Sequence, residues 1–367
     1  MNAFMKAAMV VTVAFCGSAA SAQITIDTVH VGNPGNAGDS AWWPDGPYGA
    51  VAYEYDIGTF EVKTSEYVAF LNAVAKTDTY ALYNTQMWSN QWGCKIQRTG
   101  SSGSYSYSVA ADRSNRPVNY VSWGDAVRFA NWMHNGQPVG AQGPGTTEDG
   151  AYALNGAVSA EDLLLIVRDP SATWVLASQD EWYKAAYHKN DGVTSNYWLY
   201  ATQSDDLPSN FLGDPDLGNN ANWRPNGNYS IGSPYFCTPG GEFENSESPY
   251  GTFDQTGNVW EWTEGLQEGA RGMFGGCWNS MQDIELLSGY LSGDSPASQN
   301  SMWGFRLARV TPPCPADFNH DGFVNGDDYD SFASLFESGE AGADFNHDGF
   351  VNGDDYDIFA SHFEAGC

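Results

Sequence analysis

Apolar residues recur at helical spacing in three parts of the chain. Phe70, Leu71 and Val74 share one face of a segment that Thr64-Ser65-Glu66 opens, which predicts a helix from residue 64 to about 75. Ser122 and Asp125 have the spacing of a capping box, with Asp in place of Glu. They predict a helix over Trp123–His134 that ends by Gly136. Ser178 and Glu181 repeat the box ahead of Trp182, Ala185 and Ala186, a third helix start. Residues 51–62 (VAYEYDIGTFEV) alternate loosely instead, as a strand pair broken at Gly58 would. Little period remains elsewhere. Residues 23–49 read as an extended lead-in, 83–112 as a surface excursion carrying Cys94, 136–171 as a Gly-rich loop, and 197–249 as a Gly/Asn/Pro stretch.

Composition narrows the class. The 367 residues allow one large domain and a small one, and plentiful Gly, Trp and Tyr with few Lys suggest a loop-rich domain rather than a helical bundle. A net charge of -30 argues against nucleic-acid phosphate as a partner, because nothing would neutralise it. At the N-terminus, Lys6, an apolar run over 7–17 and Ala20-Ser21-Ala22 predict a signal peptide over 1–22, cleaved before Gln23. Phe15 before Cys16 makes a poor lipoprotein site, and no later run reaches membrane length, so the expectation is a secreted protein without a transmembrane segment. Of the six cysteines, Cys94, Cys237, Cys277, Cys314 and Cys367 lie beyond that leader, an odd number for pairing within one chain.

Acid concentrates at the end. Residues 314–367 hold thirteen Asp or Glu and no Lys or Arg. The segment 317–339 (DFNHDGFVNGDDYDSFASLFESG) recurs at 344–366, 27 residues on, with three differences. Each copy opens with D-x-N-x-D-G, whose oxygens fall at calcium-loop spacing. The first set is Asp317, Asn319, Asp321, the Phe323 carbonyl, Asn325 and Asp328. The second is Asp344, Asn346, Asp348, the Phe350 carbonyl, Asn352 and Asp355. Gly322 and Gly349 permit the sharp turn, and a short helix follows each loop. The pair resembles a type I dockerin, a small α-helical module of EF-hand type. That resemblance implies a cohesin-like partner contacted through Gly326, Asp327, Gly353 and Asp354, where a Ser-Thr type pair is more familiar. The module would occupy 312–367, behind the linker Pro312-Pro313. A pseudo-two-fold unit brings its ends together, so a Cys314–Cys367 disulfide is expected to staple it.

Three motifs mark the larger domain, residues 23–311: GTFDQTGNVWEW at 251–262, RGMFGGCW at 271–278 and GFR at 304–306. In this order they resemble the formylglycine-generating enzyme (sulfatase-modifying factor) family, over about residues 51–309. Tyr67, Phe70 and Leu71 match its "Y-x-x-F-L", and residues 116–126 its entry to the second helix. The resemblance implies an α+β, loop-rich fold related to C-type-lectin-like folds. It also implies a structural calcium held by the side chains of Asp254 and Glu261 and the carbonyls of Gly257 and Val259. Asn222 and the Trp223 carbonyl match part of a second site without its acid. The alternative for Glu261 is an ion pair with an arginine such as Arg306.

Catalysis in that family needs two thiols that hold copper and oxidise a substrate cysteine to formylglycine. The matching positions here are Ser280 and Glu285. Soft thiolate suits Cu(I) and neither of these supplies it, so copper chemistry is not expected. Cys277 stands three residues ahead of the first position, and its side chain should point elsewhere. The favoured expectation is a secreted, calcium-stabilised binding module for a carbohydrate or peptide, tethered through its tail. The alternatives are an oxidoreductase rebuilt around Cys277 and a purely structural calcium-binding protein.

Overall fold

The computed structural model describes residues 23–41, 47–312, 314–319, 323–346 and 348–366. The expected signal peptide, and with it Pro313, Asp321, Gly322 and Cys367, lies outside them. Ten strands run through the larger part among the described residues: β1 (Thr28–Val31), β2 (Tyr55–Gly58), β3 (Gln97–Thr99), β4 (Ser106–Ser108), β5 (Trp174–Leu176), β6 (Trp260–Gln267), β7 (Ala270–Phe274), β8 (Ser292–Asp294), β9 (Trp303–Phe305) and β10 (Leu307–Val310). The helices are α1 (Thr64–Val74), α2 (Gln86–Ser89), α3 (Trp123–His134), α4 (Ala160–Leu164), α5 (Gln179–Tyr187), α6 (Gly326–Ser338) and α7 (Gly353–Ala365).

Both capping boxes form as the spacing requires. Ser122 Oγ accepts the Asp125 N–H at 3.0 Å while the Asp125 carboxylate accepts the Ser122 N–H at 2.8 Å. Ser178 and Glu181 do the same for α5. Such a cap contributes about 1 kcal/mol by satisfying amides that the first helical turn leaves unpaired. The helix from Thr64 also forms, entered from Lys63, whose N–H donates to Glu66 at 2.7 Å.

One sheet orders its strands β1-β2-β10-β5, every pair antiparallel, and the other β8-β7-β6-β9, with β6 and β9 parallel. Strands β3 and β4 form a separate hairpin. Where α1 and α3 meet β9 of the second sheet lies an aromatic core. Phe129 stacks on Tyr67 at 6.1 Å between centroids and meets Phe70 edge-on at 5.2 Å and Phe305 at 5.5 Å. Each such side chain, fully buried, contributes about 1.5–3 kcal/mol by leaving water. Several buried charges are paired: Arg128 meets Glu148 at 2.7 Å, and Arg168 bridges Glu181 and Glu264, both at 2.8 Å.

Three expectations change. Residues 51–62 do not form their own strand pair, because only Tyr55–Gly58 is strand and its partners, β1 and β10, are distant in sequence. The 83–112 excursion is anchored by buried Met87, Cys94 and Ile96. The Gly-rich insert holds α4, capped by Ser159, whose Oγ accepts the Asp162 N–H at 3.1 Å.

In the tail, α6 and α7 pack on each other through Phe332 and Phe359, whose rings stack 4.1 Å apart. Phe318 and Phe345 meet that stack edge-on from the two loops. No helix among the described residues is long and apolar enough to cross a membrane.

Candidate functional site

Strand β6 is where the three marker motifs converge. It pairs with β7 on one side and with β9 on the other, which sets Glu261 opposite both Phe274 and Gly304. Gly304 must lack a side chain, since a Cβ there would come within 2.7 Å of Val259 Cγ2 and 2.9 Å of the Val118 carbonyl. Gly257 sits at φ +92, and a Cβ on it would meet the Asn222 carbonyl at 2.4 Å.

Glu261 is fully buried and its carboxylate is already taken. Arg306 Nη2 donates to Oε1 at 2.8 Å and Arg306 Nε to Oε2 at 2.9 Å, while Trp182 Nε1 donates to Oε2 at 2.7 Å. Arg306 also donates to the carbonyls of Gly58 and Phe253, so it is locked in place. Asp254 Oδ2 accepts the Gly241 N–H at 2.7 Å; burial pushes its carboxyl up to about 6. Both carboxylates of the expected calcium shell, Glu261 and Asp254, are therefore already engaged within the protein. Occupying it would set a divalent cation beside the Arg306 guanidinium and draw Glu261 away from it. Ion pairing of Glu261 with Arg306, the sequence alternative, is the observed arrangement.

Sequence reasoning missed Glu61, which lies next to this pair. Its Oε1 accepts Asn258 Nδ2 at 3.0 Å and, among the described residues, its Oε2 has no hydrogen-bond partner. Burial, followed by the nearby Asp254 and Glu261 carboxylates, raises its pKa well above the usual carboxylate range. The only sequence signal was an acid standing between Phe60 and Val62.

The expected thiol positions follow a turn built on Gly275 and Gly276, both at positive φ. Gly276 holds φ +76 where a Cβ would strike Leu286 Cδ2 at 2.5 Å. Ser280 is buried, its Oγ accepting the Cys277 N–H at 3.0 Å and donating toward Cys277 Sγ at 3.7 Å. Glu285 is half-buried in the short turn Asp283–Leu286. Cys277 is buried and free, as are Cys94 and Cys237. Burial pushes the Cys277 thiol up to about 11, so at neutral pH little of it is the nucleophilic thiolate. Cys277 thus lies closer to the Ser280 position than its offset of three suggests, but as a buried thiol. Asn222 spends its Nδ2 on the Phe236 carbonyl and Asn258, and among the described residues its Oδ1 has no hydrogen-bond partner.

In the tail the expected calcium-loop oxygens point at loop amides. Asp344 accepts the Asp348 N–H at 3.1 Å and the Gly349 N–H at 2.8 Å; Asn346 accepts the Asp348 N–H at 2.9 Å. Asp355 accepts Asn352 N–H at 2.8 Å, and this and further loop amides hold its carboxyl below the usual range. Asp328 does the same with Asn325 and Asn319 in the first copy. Asn325 and Asn352 cap their helices. Gly326, Asp327, Gly353 and Asp354 lie exposed on the first turns of α6 and α7. Among the described residues, no three His, Cys, Asp or Glu side chains converge as a ready metal centre. Cys314 is disulfide-bonded, and its expected partner Cys367 lies outside the described residues.

The profile of the family described as "Sulfatase-modifying factor enzyme 1-like domain" matches residues 36–311. Two curated relatives, both named serine/threonine-protein kinase pkn1, come from Chlamydia caviae and Chlamydia pneumoniae. They are 34% and 33% identical over 82 residues, 17% of this chain and 13% of theirs. The chain therefore spans a small part of those relatives' length. Among solved structures, CarF is similar with a TM-score of 0.46 and 19% identity, over 78% of this chain and 98% of that one. Treponema denticola variable protein 1 follows at 0.46 and 19%, over 77% and 94%. PvdO from Pseudomonas aeruginosa gives 0.41 and 17%, over 77% and 91%.

Proposed function

The chain belongs to the sulfatase-modifying factor enzyme 1-like domain family, and from that premise we propose that it is a secreted binding protein whose core no longer generates formylglycine. One observation carries this: the two family thiol positions hold Ser280, a buried hydroxyl bonded to its own turn, and Glu285, a carboxylate. The residues present do not fit a copper thiolate centre. Cys277 would have to ionise where burial opposes it, and no second thiolate stands at the position five residues past Ser280. The core keeps the family frame and uses it as a rigid scaffold.

The tail is a dockerin-like module that binds two calcium ions. Asp317, Asn319, Asp321, Asn325 and Asp328 with the Phe323 carbonyl would hold one ion. Asp344, Asn346, Asp348, Asn352 and Asp355 with the Phe350 carbonyl would hold the other. Calcium there neutralises carboxylates that otherwise repel across a segment with no basic residue. The exposed Gly326-Asp327 and Gly353-Asp354 pairs offer two equivalent faces to a cohesin-like partner outside the cell. Calcium is assigned to the tail alone, since Arg306 already balances Glu261 in the core.

The test uses the full chain. It is incubated with a sulfatase-derived cysteine peptide, copper and oxygen, and assayed for aldehyde; in parallel it is passed over cohesin-type proteins in calcium and in chelator. No aldehyde with calcium-dependent capture is expected. Aldehyde formation would overturn the core assignment, and capture that ignores calcium, or no capture, would overturn the tail assignment.

A further inference from the structure

One residue from each of four strands forms a line across the first sheet. His30 on β1 stands opposite Asp56 on β2, Asp56 opposite Arg309 on β10, and Arg309 opposite Trp174 on β5. Residues directly opposite each other share a face of the sheet. The neighbouring line, Val29, Ile57, Ala308 and Val175, packs the other way into the core. The His-Asp-Arg-Trp line therefore looks outward.

Polar residues on an outward face are ordinary. Three further observations separate this line from an ordinary solvated face. It floors a cleft of about 590 Å3, walled by the end of α3 and by residues 310–312. The Arg309 guanidinium is exposed and, among the described residues, makes no hydrogen bond or ion pair, although Asp56 stands opposite it. Trp174 is an aromatic ring left half-exposed in a protein that buries most of its tryptophans.

The groups around the line alternate in hydrogen-bonding sense. Asp56 and Glu54 hold His30 between them, at 3.2 Å and 3.5 Å, and keep free lone pairs. From the wall, His134 Nδ1 accepts the Thr173 N–H at 3.1 Å, an arrangement that favours a proton on Nε2 as a donor. Acceptors, donors and one aromatic plane thus share a single concave face. Sugar hydroxyls donate and accept at once, and a pyranose offers a C–H face that packs on an aromatic ring. A peptide added to a sheet would seek an open edge and apolar pockets, and this cleft lies on the face and is polar. An anionic glycan would meet two carboxylates on a chain of net charge -30.

We propose that the cleft floored by His30, Asp56, Arg309 and Trp174 binds a neutral saccharide, with Trp174 as the stacking platform and Asp56 and Arg309 fixing hydroxyl orientation. This rests on the core being a binding module, and it names that module's site and ligand class.

The experiment is calorimetric titration of the full chain, in calcium, with neutral fragments of β-1,4-glucan, xylan and mannan and with sulfated and uronate fragments. Saturable binding of a neutral fragment is expected. Trp174→Ala should weaken it about tenfold or more, with Trp174→Phe retaining most of it. Because Trp174 is half-buried, the exposed Arg309→Ser is a second variant that leaves packing untouched, with an expected loss of about fivefold. No neutral fragment binding, preference for charged fragments, or full affinity in both Trp174→Ala and Arg309→Ser would each overturn the assignment. Saccharide binding that survives both changes would leave the binding-module reading standing while removing this cleft. Aldehyde formation in the peptide assay would remove that reading itself.

Discussion

Arg306 and Glu261 meet as a two-point ion pair, Nη2 2.8 Å from Oε1 and Nε 2.9 Å from Oε2, with neither side chain reaching solvent. The pair ties the GFR motif to the VWEW motif across parallel strands β9 and β6. Two charges in the interior are tolerable only together. Arg306→Met should therefore destabilise the core by about 3–5 kcal/mol, because it leaves the Glu261 carboxylate buried with Trp182 as its one remaining side-chain donor. Denaturant unfolding followed by tryptophan fluorescence measures this. A change under about 1 kcal/mol would mean the pair is not what organises the motif.

Thiol accessibility is the second prediction. In the chain from Gln23 onward, Cys94, Cys237 and Cys277 are free and buried. None should react with a thiol reagent in the native state, and all three should react once the protein is unfolded without reductant. Rapid native reaction of Cys277 would contradict the burial that holds its thiol up near 11.

Glu66 gives a pH prediction of definite sign. Burial raises its carboxyl from 4.5 to about 7, against the opposing pull of the Lys63 N–H. The folded state thus binds this proton more tightly than the unfolded chain does. Its contribution is full below about pH 4.5 and is lost as pH rises through about 7. Glu66→Gln keeps an acceptor for the Lys63 N–H and removes the titration. The wild type should lose on the order of 2 kcal/mol relative to this variant between about pH 4 and pH 8. Parallel curves of unfolding free energy against pH for the two proteins would refute this.

Calcium should act on the tail and spare the core. Titration of the chelated protein should reach two equivalents, and Asp344→Ala with Asp348→Ala should remove one of them. Thermal unfolding of the core, read at tryptophan, should be the same with and without calcium, since all 14 tryptophans precede the repeats. A core transition that moves with calcium would place an ion near Asp254 after all.

Local signals in the sequence were legible where one short-range interaction decides the outcome. The boxes Ser122–Asp125 and Ser178–Glu181 set their helices because an oxygen and an amide three residues apart need nothing else. Sheet partners were not legible. Tyr55–Gly58 is completed by residues 308–310, and no pattern within 51–62 carries that information. For the same reason the line from His30 to Trp174 was invisible, because it draws one residue each from four distant segments. That Ser280 and Glu285 stand where the family resemblance expects thiols was readable directly. The contact of Ser280 with Cys277 needed the turn that Gly275 and Gly276 impose.

The most direct test of the central claim is an anaerobic Cu(I) titration of the full chain, with free thiols counted beforehand under native conditions. The account predicts no reactive native thiol and no tight stoichiometric copper binding. One-to-one tight binding that disappears in Cys277→Ser would contradict it and would make the core an oxidase in search of its cysteine substrate.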